Sequence, residues 1–110
     1  MTSVDENYLV ADLQDFTATL VRKLEDAFQR PLDVESQVGK LDEEIAEFVD
    51  SDYALEELAD IVVVCMTMTN VLGSSVQELM AAVWAKAYRN TQRDWHVPGG
   101  TDVARHVGEG

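Results

Sequence analysis

The sequence predicts an all-α protein built from four helices, and three observations lead there. Apolar residues recur at steps of three and four along most of the chain, the period of one helical face. The two prolines, Pro31 and Pro98, stand at the edges of periodic stretches rather than inside them. The one run that resembles a strand, Ile61–Met66, has no second run to pair with.

The first helix is expected from about Val4 to Phe28. Leu9, Leu13, Phe16, Leu20, Leu24 and Ala27 form its stripe, and it ends before Pro31 because proline disfavours helical geometry in the preceding residue. Asp33 is placed to cap a second helix over Val34–Val49, with Val34, Val38, Leu41, Ile45 and Phe48 as its apolar positions. Ser51-Asp52 supplies a turn and a new cap, and a third helix follows over Tyr53–Leu72. Its β-branched run also suits a strand. However, Leu55, Leu58, Val62, Cys65 and Thr69 continue a helical stripe through it, and a helix apolar nearly all round is expected to be central. Gly73 reads as its C-terminal cap. Ser75-Val76-Gln77-Glu78 reads as a capping box opening a fourth helix to about Arg93. The organisation expected is one domain over residues 1–95, with an extended or flexible tail over 96–110.

Composition narrows the function. Among 110 residues there are 8 Lys and Arg against 21 Asp and Glu, a net charge of −13. That field repels a phosphate backbone, so a nucleic-acid-binding role is not expected. A single cysteine excludes an internal disulfide framework. No apolar run approaches the ~20 residues a membrane helix needs, and Met1–Glu6 lacks a signal-peptide pattern. A soluble cytoplasmic protein that engages neither nucleic acid nor membrane is the expectation.

The acids are not scattered. Helix two carries Glu43-Glu44-Ile45-Ala46-Glu47 and helix three opens with Glu57-Leu58-Ala59-Asp60. Residues three apart share a helix face, so Glu44 pairs with Glu47 and Glu57 with Asp60. If the helices pack antiparallel across the turn at Ser51, the two pairs face each other. Four converging carboxylates repel unless a cation sits between them, and hard oxygen ligands suit Mg²⁺ or Mn²⁺. A solvated acidic face remains the alternative on pattern alone. Lys86, Arg89, Asn90 and Arg93 lie on one stripe of helix four. They suit phosphate oxygens, or else complement the helix dipole. Lys40, one turn before Glu44, is a further phosphate contact or an ordinary i,i+4 partner of that acid. Trp84, Tyr88 and Trp95 suit base stacking or a core.

These motifs resemble the all-α nucleoside triphosphate pyrophosphohydrolases, often called MazG-like, which carry Glu-Glu-x-x-Glu on one helix and Glu-x-x-Asp on the next. The resemblance spans roughly residues 8–95. It implies a four-helix bundle completed by assembly into homodimers or homotetramers, and Mg²⁺-dependent cleavage of a (deoxy)nucleoside triphosphate to monophosphate and pyrophosphate. A role in cleaning the nucleotide pool goes with that activity. It further implies Glu44, Glu47, Glu57 and Asp60 as metal ligands, with Glu43 or Glu47 positioning and deprotonating water. Lys86, Asn90 and Arg93 correspond to phosphate- and nucleotide-contacting positions. Nine residues separate Glu47 from Glu57, fewer than is usual in the family, so the turn is tight and carries no substrate-capping insertion. The rival reading is a non-enzymatic acidic helical module for dimerisation or partner binding.

Overall fold

Local caps set the helix boundaries in the computed structural model, which describes residues 6–96 and 105–107, with side-chain surroundings for 9–94. The chain is all-α in class: α1 (Glu6–Phe28), α2 (Val34–Asp50), α3 (Leu55–Val71) and α4 (Val76–Thr91). Gln29, at φ 57°, closes α1, and the Arg30 N–H reaches back to the Glu25 carbonyl at 3.3 Å. That 6→1 bond satisfies one of the carbonyls a helix end leaves open. Asp33 caps α2 as expected, its carboxylate accepting from the Ser36 N–H at 2.7 Å. Gly73, at φ 75°, closes α3 with bonds from its own N–H to Asn70 and from Ser74 to Thr69. The Ser75 hydroxyl accepts from the Glu78 N–H at 3.1 Å to open α4.

The turn between α2 and α3 departs from expectation. Ser51 and Asp52 do not cap α3, which starts two residues later than Tyr53, behind Ala54. They belong instead to the end of α2. Asp52 and Tyr53 both adopt left-handed backbone, at φ 60° and 67°. Their N–H groups bond Val49 and Phe48 at 3.1 and 3.0 Å, and the Tyr53 ring meets Phe48 edge-on with centroids 5.5 Å apart. This is the helix-ending motif with its apolar contact, made without glycine. The Ser51 hydroxyl, which donates to Phe48, accepts from the Ala54 N–H at 3.1 Å.

Residues up to Leu79 form one compact unit and those from Met80 a second. In the first, α3 is central, packing on both α1 and α2. Its core comprises Val21, Val64, Met66 and the fully buried Val76. Three buried threonines join them; Thr67 and Thr69 donate to carbonyls three residues back. The Val76 N–H donates to Gln14 Oε1 at 2.7 Å, tying the first turn of α4 to α1.

The buried faces differ from the apolar stripes read in the sequence. On α1 the buried residues are Thr17 and Val21, while Phe16 is exposed. On α2 they are Gln37 and Glu44, while Val34, Val38, Ile45 and Val49 are exposed. On α3 they are Val64, Met66, Thr67 and Thr69, while Leu55, Leu58 and Val62 are exposed. The inward line of α2 runs Gln37, Leu41, Glu44, Phe48, so half of it is polar.

In the second unit, α4 ends at Thr91, short of Arg93. Strands β1 (Asp94–His96) and β2 (Arg105–Val107) pair antiparallel, with Trp95 opposite His106. The remainder of the tail, expected to be extended or flexible, lies outside the described residues. No single helix among the described residues is long and apolar enough to cross a membrane.

Candidate metal centre

Glu44 comes from the middle of α2, on its inward line, and Glu57 and Asp60 from the first turns of α3. One carboxylate oxygen from each of the three lies within 4.8 Å of the others. Glu44 is only 7% exposed. Its Oε1 is 3.1 Å from the Lys40 ammonium, which also reaches Glu43 at 3.5 Å. The i,i+4 role weighed for Lys40 is therefore realised, and the bond to Glu44 raises the lysine's pKa.

Two oxygens in this cluster, Glu44 Oε2 and Glu57 Oε2, are buried with no hydrogen-bond partner among the described residues. A buried oxygen of that kind costs stability, and an unpaired charge costs more. Burial and the neighbouring Asp60 push the Glu57 carboxyl above its ordinary value. Glu47 is exposed on the next turn beside Glu44, whose hydrogen bond and charge raise the Glu47 carboxyl as well. The cluster has a surplus of acceptors, and among the described residues Lys40 is the one cation paired with it. A divalent ion is the partner that orphaned, closely spaced hard oxygens fit.

The acids stand at the wall of a cavity of about 540 Å³ within the first unit, where Glu43, Glu44 and Asp60 contribute to the lining. Leu20, Leu24 and Phe28 from α1 and Val63 and Val64 from α3 make its apolar sides. Gln37, Gly39 and Thr67 also line it. The sequence pattern did not mark Gln37, Gly39 or Thr67 as site residues, although a glycine inside a periodic helix is a visible irregularity.

The basic stripe belongs to the second unit. Lys86 and Asn90 are exposed on α4. Arg93 stands just beyond its end and donates to Asn90 Oδ1 at 3.1 Å. The Trp84 and Tyr88 rings stack on each other, 5.6 Å apart, and both are exposed.

No family model matches the chain, and no curated protein does. Among solved structures it is similar to a cyanophage S-2L MazG-like pyrophosphohydrolase bound to dGDP and three catalytic Mn²⁺ ions per active site. The identity is 30% and the TM-score 0.65, over 89% of this chain and 91% of that one. The chain belongs to the MazG-like pyrophosphohydrolase family. The four helices are that family's all-α fold, and the Glu-Glu-x-x-Glu and Glu-x-x-Asp motifs of this MazG-like chain supply the three clustered acids.

Proposed function

We propose that this protein hydrolyses (deoxy)nucleoside triphosphates to the monophosphate and pyrophosphate, with Mg²⁺ or Mn²⁺ held by Glu44, Glu57 and Asp60, and by Glu47 beside them. The observation that carries this is the pair of orphaned buried carboxylate oxygens set among acids at the wall of a nucleotide-sized cavity. The structural relative's bound dGDP and Mn²⁺ support the same reading.

The metal, when bound, neutralises phosphate charge and acidifies a coordinated water. The chain's own residues do the rest. Glu43 or Glu47, on exposed turns flanking Glu44, accepts the proton of the attacking water at a carboxylate oxygen. Lys40 fixes Glu44 through its 3.1 Å contact. Lys86, Asn90 and Arg93 take up phosphate oxygens and stabilise charge on the departing pyrophosphate. The apolar cavity walls exclude water from the rest of the substrate. Val38, Ile45 and Val49 on α2 and Leu55, Leu58 and Val62 on α3 are exposed. Apolar faces of that extent mark an interface, and a second copy of this chain covers them in a homodimer or homotetramer. The activity suits a cytoplasmic enzyme that removes unwanted nucleotides.

The test is pyrophosphate release across common and oxidised nucleotides, with Mg²⁺, with Mn²⁺ and with a chelator. Metal-dependent turnover lost in Asp60→Asn, with helical circular dichroism intact, is expected. No turnover with any nucleotide, and melting indifferent to the metal, would leave the acidic interaction module as the better account.

A further inference from the structure

Holding a metal explains the acids around the cavity but not its amide. Gln37 is 6% exposed and lines the cavity. Its Oε1 is 2.7 Å from the Thr67 hydroxyl, and that hydroxyl is also 2.7 Å from the Val64 carbonyl oxygen. A hydroxyl has one proton to donate, so it serves one of these two oxygens at a time. The other end of the Gln37 amide, Nε2, has no partner among the described residues. Turning the amide end for end removes the conflict: Nε2–H would donate to the Thr67 oxygen while Thr67 donates to Val64. Oε1 is then the end left to the cavity. In either orientation the amide makes one of its four possible hydrogen bonds within the protein, and its free end stays accessible on the cavity side rather than sealed in the core.

Gly39 is the second observation. It sits inside α2, where glycine is destabilising relative to alanine, and it too lines the cavity. A Cβ at Gly39 would meet nothing within 4 Å, whereas Gly73, the other described glycine, has the positive φ that favours glycine. Neither packing nor backbone conformation asks for glycine at 39. What its absent side chain leaves is bare helix backbone open to the cavity, two residues from the amide with the free end.

We infer that Gln37 is the residue that reads the nucleobase: the free end of its amide, anchored by Thr67, accepts a hydrogen bond from an N–H on the base edge, and Gly39 leaves room for the ring against α2. The inference rests on the reading that this cavity takes a nucleotide. It adds a specificity-determining contact made by neither the acids nor the basic stripe. A cavity of about 540 Å³ exceeds any single base, so size alone selects weakly and a directional hydrogen bond carries the choice.

The experiment is metal-free, which separates it from turnover. The four common deoxynucleosides and purine 2′-deoxyriboside, an adenine analogue lacking the amino group, are titrated into ¹⁵N-labelled protein. The Gln37 side-chain NH₂ and the Gly39 amide are the reporters. Both are expected to shift, and at least one natural nucleoside should bind roughly five- to tenfold more tightly than the analogue, the worth of one neutral hydrogen bond. Gln37→Leu should erase that difference, with Thr67 still satisfied by Val64. Gly39→Leu should abolish the shifts, and Gly39→Ala should raise the melting temperature while weakening binding. If Gln37→Leu keeps the wild-type discrimination, or Gly39→Leu binds normally, the inference is wrong even in an active enzyme. Absence of any shift in the wild type overturns it too. Nucleoside binding at these reporters without pyrophosphate release would instead refute the proposed hydrolysis and leave this inference standing.

Discussion

Replacing Glu44 with Gln should invert the order of stability between wild type and variant according to whether metal is present. Glu44 Oε2 is buried without a partner among the described residues, and one oxygen of the Glu44 carboxylate lies within 4.8 Å of an oxygen from each of Glu57 and Asp60. Leaving such an oxygen unmet costs about 1–3 kcal/mol. A Gln amide there removes a negative charge and can donate to either neighbour. Against this, the pair with the half-exposed Lys40 weakens, which costs roughly 0.5 kcal/mol for an i,i+4 contact. The net is a gain of about 1 kcal/mol without metal. With an unfolding entropy of about 2.1 cal/mol/K per residue, 110 residues give about 0.23 kcal/mol/K, so the variant should melt about 4 °C higher. Saturating the wild type with Mn²⁺ at a hundred times its Kd should add about 2.7 kcal/mol, or about 12 °C on the same conversion. The variant should gain almost nothing. Differential scanning calorimetry with chelator and with Mn²⁺ gives all four numbers. A variant that melts below wild type in chelator, or that retains the full Mn²⁺ shift, would refute the argument from the orphaned oxygens.

Further outcomes follow from the same structure. Glu47 and Glu57 have carboxyls raised above the ordinary value of 4.5. The metal-free folded state therefore binds protons more tightly than the unfolded chain there, and these groups subtract stability as pH rises from 4.5 through the raised values. Bound metal offsets that loss, so the Mn²⁺-induced rise in melting temperature should grow with pH across this window and shrink below it. Asp33 shifts the other way. Its hydrogen bonds from Ser36 lower its pKa below 3.8, so its contribution is present above 3.8 and fades as pH falls through the lowered value. Asp33→Ala should cost a few degrees of melting temperature at neutral pH and much less in strong acid. Gln29→Gly should stabilise the fold by about 1 kcal/mol, because it relieves left-handed backbone at φ 57°; urea melts with an unchanged slope would show it.

Much of the fold was readable because helix ends are decided locally. Asp33, Gly73 and Ser75 act where their chemistry placed them, each through partners within a few residues. The α2–α3 turn was misread because Ser51-Asp52 is equally good capping chemistry in either direction. The ring contact between Phe48 and Tyr53 gives it to α2. The inward faces were misread for a deeper reason. Periodicity assumes that apolar residues point in, yet α2 turns Gln37 and Glu44 inward and leaves Val34, Val38 and Ile45 in solvent. The helix departs from the rule where the cavity lies. At the centre, the spacing of Glu44, Glu57 and Asp60 was legible because i,i+3 geometry and a short turn constrain it. The cavity was not, since its walls come from three helices and the hydrogen bond to its Gln37 amide joins residues thirty apart in sequence.

The corner at Asp52-Tyr53 works as a ruler. Two successive left-handed residues leave almost no slack between the end of one acidic segment and the start of the next. One residue more in this corner would turn the following helix by about 100° if its axis were kept, swinging Glu57 and Asp60 away from Glu44. This corner tolerates changes of residue type far better than changes of length.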